Sequence, residues 1–252
     1  LYLKRLDYSK KFLVQSDVNQ LAAYKKEVDD EINNGTFKFF ELSNELISRR
    51  ILEKETWYKE ILSKPFDYTV DEEYETDGEK MKFAASEVQL KAEWTKYLKY
   101  QSLYRLNEMM DDQEKIKAAK DTVAKVLPFD TLEASARKKV MKLTDDWFKR
   151  LKKINKKHRY ADYVNSITAM YDPHTEFFPP VEKKKFDQSM SGQLEGIGAR
   201  LQQKDDYIKI TEIAVGSPSY KQGDLKAGDL IMKVGQGDKE PVDIVGMDID
   251  EA

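Results

Sequence analysis

No cysteine occurs among the 252 residues, which excludes disulfides, thiolate metal sites and a cysteine nucleophile. Histidine is nearly as scarce. His158 and His174 are the only two, so no HExxH zinc site exists and a His-based triad has little scope. No apolar run is long enough to cross a bilayer. An excess of one charge is also missing: 43 Lys and Arg stand against 46 Asp and Glu, a formal net charge of -3, so no overall field recruits nucleic acid. Glycine is sparse until late. Nine of the 11 glycines fall at or after Gly192, and Trp57, Trp94 and Trp147 all precede it. A long Lys/Glu/Leu-rich part therefore gives way to a glycine-punctuated β module. There is no P-loop, and Leu201 stands where Gly196-Ile197-Gly198 would need the third glycine of a dinucleotide fingerprint.

The first part reads as irregular all-α. Ser16 or Asp17 can cap a helix running to Asn34, with Gly35 as its stop. A second helix spans about Phe37 to Leu62, its apolar face carried by Phe40, Ile47, Ile51 and Tyr58, and Lys64-Pro65 ends it. Ser86 and Gln89 have capping-box spacing and open a helix through Leu90, Trp94, Leu98 and Met109. After a charged stretch around Asp111 to Lys120, further helices cover about Leu132 to Asn155 and Tyr160 to Met170. The acidic segment Phe66 to Lys80 invites a calcium reading, but Ala84 stands where an EF-hand loop needs its bidentate Glu, so a solvated loop is expected. The basic run Lys149 to Arg159 keeps Trp147, Leu151 and Ile154 on one helical face, which leaves the cations as a solvated face or a contact surface for an acidic partner or another subunit. Ser135 and Lys138 match a Ser-x-x-Lys spacing without any partner motif. The chain itself holds no credible active site.

Tyr171-Asp172-Pro173-His174-Thr175 is a helix stop, in which Asp172 and Thr175 bond nearby backbone in a tight turn. His174 is expected to be buried and hydrogen-bonded there, and Pro179-Pro180 to make an extended exit. Beyond it, Glu195-Gly196-Ile197-Gly198-Ala199-Arg200-Leu201 pairs a glycine turn with a β-prone run. That pairing can aim several backbone N–H groups at one carboxylate while leaving a strand edge open beside it. Gly216-Ser217-Pro218 follows, and Leu225-Lys226-Ala227-Gly228-Asp229-Leu230-Ile231 is a turn feeding an apolar strand.

This order of pieces resembles a PDZ domain. With Asp172-Pro173-His174-Thr175 and Ser191-Gly192-Gln193-Leu194-Glu195 before it and Val234-Gly235-Gln236-Gly237 at its close, the chain resembles the carboxyl-terminal processing proteases, in particular the tail-specific branch of Gram-negative bacteria. Leu6-Asp7-Tyr8 and Phe66-Asp67-Tyr68-Thr69-Val70-Asp71-Glu72 resemble that branch's helical N-terminal region.

The resemblance implies an α+β multidomain chain: a helical domain at 1–180, a linker at 181–190 and a mainly β PDZ domain at 191–252. Asp248-Ile249-Asp250-Glu251 has capping-box spacing directly before Ala252, so the groove helix is expected to be cut at its start and the chain to be a piece of a longer protein. A truncated groove is expected to bind tails weakly or not at all. By resemblance, Gly196, Ile197, Gly198 and Ala199 form the carboxylate-binding loop, and Leu201 lies on the strand that pairs with the tail. Ile197 and Leu201 face the groove, the core or both. The resemblance further implies a periplasmic serine endopeptidase with a Ser–Lys pair beyond Ala252, no cofactor, nonpolar C-terminal tails as partners and an adaptor on the helical domain. The alternative is a PDZ scaffold with no enzyme attached.

Overall fold

The computed structural model describes residues 1–118, 126–191, 196–204, 207–235, 237, 239–247 and 249. The chain divides into two compact units, Leu1–Phe177 and Phe178–Ala252. The first is helical and the second carries antiparallel β structure, an α+β arrangement.

In the helical unit, α1 (Tyr2–Leu6) leads to a non-helical stretch that threads the core before α2 (Gln15–Ala22). Asp7 makes that threading possible. It is buried, and its carboxylate accepts the backbone N–H groups of Lys11 at 2.9 Å, Phe12 at 3.0 Å and Leu13 at 2.9 Å. Three donors that no helix or sheet could use are satisfied by one side chain. Phe12, Leu13 and Val14 can then be buried, and Val14 forms a parallel bridge with Ala84.

The expected helix from Ser16 or Asp17 to Asn34 is three pieces: α2, a 3₁₀ turn (Ala23–Lys26) and α3 (Val28–Asn34). Neither Ser16 nor Asp17 is its N-cap. Asp17 lies in the first turn and reaches back to accept the Val14 N–H at 3.0 Å, while Arg50 donates to both its oxygens at 2.9 Å. Gly35 does end the segment, at φ +65°.

The long helices α4 (Lys38–Leu62), α5 (Glu87–Ala118) and α6 (Phe129–Lys153) pack around Phe12. Trp147, Trp94 and Phe148 surround its ring at centroid distances of 5.5, 6.2 and 6.2 Å. Helix α5 runs through the charged stretch to Ala118 instead of stopping near Met109, because Asp, Glu and Lys on an exposed face are compatible with helix. Lys120, the end of that stretch, lies outside the described residues. Helix α7 (Lys156–Tyr171) starts earlier than expected, since Asn155 is its N-cap and accepts the His158 N–H at 3.0 Å. A second aromatic cluster joins Tyr2, Phe40 and Tyr163.

Two more expectations about this unit are corrected. Arg159 belongs to no solvated face: it is buried and donates to Ser48 Oγ at 2.5 Å and Asn44 Oδ1 at 3.1 Å. His174 is exposed. The segment after the Asp172 turn is held by Asn165, whose side chain accepts the Phe177 N–H at 2.6 Å and donates to the Phe177 carbonyl at 3.1 Å. The turn itself is as expected, with the His174 N–H and Thr175 Oγ1 donating to Asp172 at 2.9 and 2.8 Å.

In the second unit, Pro180–Ser191 forms α8, so the stretch expected to be a linker (181–190) is helical. The sheet has the order β1-β2-β3, with β1 (Ala199–Lys204), β2 (Tyr207–Ile213) and β3 (Leu230–Ile231) all antiparallel. Strands β4 (Lys233–Val234) and β5 (Val242–Asp243) make a separate ladder. Its core is small: Ile208, Ile210 and Ile244 are the buried apolar side chains among the described residues.

Replacing Asp7 with Ala would strand three largely buried N–H donors. We expect Asp7→Ala to destabilise the helical unit by about 2–4 kcal/mol. Urea unfolding followed by tryptophan fluorescence checks this, because all three tryptophans lie in that unit.

Candidate peptide-binding site

The loop before β1 is shaped by its two glycines. Gly196 has φ +146° and Gly198 φ +76°, both in the region that disfavours side chains. At Gly198 space is also decisive. A Cβ there would lie 2.1 Å from Ser217 Cβ, so this glycine allows the loop to close onto the start of α9 (Pro218–Gln222). Ser217 caps α9 by accepting the Tyr220 N–H at 3.2 Å, with Pro218 in the first turn.

The backbone groups of the loop are sorted by direction. The Ile197 carbonyl accepts the Ser219 N–H at 3.1 Å, and the Gly198 carbonyl accepts the Ala214 N–H at 2.8 Å. Among the described residues, no hydrogen bond engages the N–H groups of Gly196, Ile197 or Gly198. Carbonyls are used inside the module and donors are left over, which is the polarity an anion needs.

A depression of about 430 Å³ opens at this loop. Gly196, Ile197, Gly198 and Ala199 line it, with Arg200, Glu212 and Ala214 on the β1–β2 side. Ile197 is 50% exposed, so it is a surface side chain and not a core one. Leu201 is 37% exposed and lies outside the depression, two residues along β1 on the face shared by Ala199 and Gln203. Of the sequence-derived set, the structure thus brings four residues together and sets Leu201 apart.

Among the described residues, strand β1 pairs with β2 on one side only and is an edge of the sheet. The pairing slips between Arg200 and Leu201, leaving Thr211 as the extra residue of β2, and its hydroxyl donates to the Arg200 carbonyl at 3.1 Å. Three contributors were given no role in the site from the sequence. Ser217 sits against Gly198. Arg200 pairs with Glu212 at 2.9 Å on the rim. Gln203 donates to the Met247 carbonyl at 3.1 Å and accepts the Ile249 N–H at 3.3 Å, which ties the segment after β5 to β1. Ser217-Pro218 did carry a helix-start signal. Gln203 and the Arg200–Glu212 pair carry none, because they depend on register.

Residues Gly192 to Glu195, and Asp248, Asp250 and Glu251 of the expected groove helix, lie outside the described residues. Ser135 is exposed and donates its hydroxyl to the Thr131 carbonyl at 2.7 Å, so the Ser-x-x-Lys spacing assembles nothing reactive.

A donor-rich glycine loop at the head of an open-edged strand, on a small antiparallel sheet that follows a helical unit, defines a helical domain joined to a PDZ-like module. Residues 1–181 match the tail-specific protease N-terminal domain and residues 187–252 match the PDZ domain; the chain belongs to the tail-specific protease family. It is 27% identical over 252 residues to a tail-specific protease of Haemophilus influenzae, covering 99% of this chain and 33% of the relative. It is also 33% identical over 92 residues to a probable CtpA-like serine protease of Staphylococcus aureus strain COL, covering 36% of this chain and 18% of that protein. The chain spans about a third or less of the length of these curated relatives.

The two ways in which a glycine matters can be separated. Gly216 has φ +84° but open space around its Cβ position, so Gly216→Ala should cost only about 1 kcal/mol of backbone strain. Gly198→Ala adds the collision with Ser217, and we expect a loss of more than about 3 kcal/mol in the second unit. Amide hydrogen exchange across β1 and β2 would report both.

Proposed function

We propose that this chain is the substrate-recognition and regulatory portion of a periplasmic serine endopeptidase that captures proteins by nonpolar C-terminal tails. The observation that carries this reading is the set of unengaged N–H groups at Gly196, Ile197 and Gly198, directly beside the open edge of β1. A free carboxylate entering the loop accepts from those donors. The residues before it add as a strand to β1 through main-chain bonds, which tolerate many sequences. Ile197 offers apolar surface to the last side chain, so a charge there is penalised by desolvation. Such a grip is modest, about -8 kcal/mol for a micromolar complex.

The protease assignment rests on the family and on relatives named as proteases. Ser–Lys chemistry would be supplied by a part of the polypeptide outside this chain, in which a neutral lysine takes the serine proton and backbone donors hold the oxyanion. An adaptor on the helical unit belongs to the same proposal, and nucleic acid does not.

The test compares the full reading frame with the 252-residue chain on a reporter protein ending in a free apolar tail. We expect cleavage by the full protein only, and at least a ~10-fold loss when the tail is amidated, equivalent to about 1.4 kcal/mol. Carboxylate-dependent binding without cleavage by either form would favour a PDZ scaffold. Binding indifferent to amidation would overturn the assignment of the loop.

A further inference from the structure

The helical unit holds a cavity of about 310 Å³ whose lining includes a lysine in an unusual setting. Lys11 has its backbone fixed from both ends. Its N–H donates to Asp7 at 2.9 Å, and its carbonyl accepts the Trp94 indole N–H at 2.7 Å. Its Nζ lies 3.9 Å from the Tyr97 ring centroid and donates to Tyr74 Oη at 2.8 Å. Among the described residues no carboxylate comes within ion-pair distance of it. An amine held rigidly, walled by aromatic rings and open to a cavity has the features of a lysine nucleophile.

The charges around it come from three elements. Asp7 and Glu93 favour the ammonium form, as does the Tyr97 face, but burial outweighs them and lowers the Lys11 pKa to about 8. Burial also pushes the Tyr74 and Tyr97 hydroxyls upward, so both stay protonated where Lys11 loses its proton. The cavity wall is cationic on balance. Lys10 is committed to the carbonyls of Tyr8 and Gly78. Lys80 is exposed and pairs only loosely with Asp77 at 3.8 Å, and Lys82 has no partner among the described residues. Glu75 and Glu93 are the opposing acids on the wall.

We propose that Lys11 is a modification site at which a small anionic carbonyl compound, such as an aldehyde bearing a carboxylate, condenses as an imine, with Lys80 and Lys82 attracting the anion. The Nζ lone pair attacks the carbonyl carbon, and the Tyr74 hydroxyl delivers a proton to the oxygen of the carbinolamine. That oxygen, which took one amine proton when the carbinolamine formed, leaves as water; the second amine proton returns to Tyr74, and a C=N bond remains. No oxidant or reductant is needed.

The experiment exposes the full chain to glyoxylate, or to acetaldehyde as its uncharged two-carbon counterpart. Borohydride traps the imine, and peptide mass spectrometry ranks the lysines. At pH 8 a lysine with a pKa near 8 has a roughly 100-fold larger free-amine fraction than an ordinary one. Its lower basicity and partial burial offset some of that, so we expect Lys11 to be labelled ~10-fold faster than exposed lysines. The rate should fall as pH drops below about 8, since the amine then becomes an ammonium. Glyoxylate should be preferred over acetaldehyde, and Lys82→Gln should reduce that preference. Tyr74→Phe keeps the ring and should slow labelling several-fold. Labelling of Lys11 no faster than that of other lysines would overturn the site. Equal rates for the two aldehydes would overturn the anionic specificity, and an unaffected Tyr74→Phe would overturn the proton delivery.

Discussion

The carboxylate of Asp7 is the contact on which the helical unit depends. A chain that passes through a core without helix or strand pairing leaves its N–H groups without partners, at a cost that apolar contacts rarely offset. Asp7 accepts three of them in succession, and the stretch from Lys11 to Val14 can then occupy the centre of the α4–α5–α6 packing. The aromatic arrangement follows. Phe12 meets Trp94, Trp147 and Phe148 because its backbone has been placed there, and the Trp94 indole N–H finds its acceptor on Lys11. The same fixation gives Lys11 its position over Tyr97. One buried acid thus sets both the packing and the chemical environment of a partly buried amine.

The glycine-rich unit is constrained by close approach instead. Gly198 can face Ser217 only without a side chain, and that contact orients both the loop carbonyls and the start of α9. Once the Ile197 carbonyl is used by Ser219, the trans peptide unit directs the Gly198 N–H the other way. The unengaged Gly198 donor therefore results from how the loop is satisfied internally.

Sequence patterns revealed local features well and long-range ones poorly. Helix α4 could be read from Phe40, Ile47, Ile51 and Tyr58 with Lys64-Pro65 beyond it, because periodicity and stop signals are contained in the segment. Gly35 and the Asp172 turn were legible for the same reason. The failures involve partners far apart in sequence. Nothing near Arg159 announces that Ser48 and Asn44 will solvate it, and the polarity of its neighbours suggested a surface. Nothing near His174 shows that Asn165 does the anchoring. In the site, the glycine loop was legible because glycine spacing encodes backbone conformation. The roles of Gln203 and Arg200 were not, since they arise from strand register and from the bulge at Thr211.

The small core of the second unit bears on how the site would work. Ile208, Ile210 and Ile244 are a meagre apolar content, while Ile197, Leu230, Met232 and Val234 remain exposed. A unit of this kind is held largely by strand pairing, and among the described residues β1 has a partner on one side only. A peptide strand added to that edge would complete a ladder and cover apolar surface together, so ligand and fold stabilise each other by linkage. Gln203 bears on the same coupling: by holding the segment around Met247 and Ile249 against β1, it makes the position of that segment depend on the strand that a tail would join. Capture of a tail would then reach the chain beyond β5 through side-chain bonds already in place.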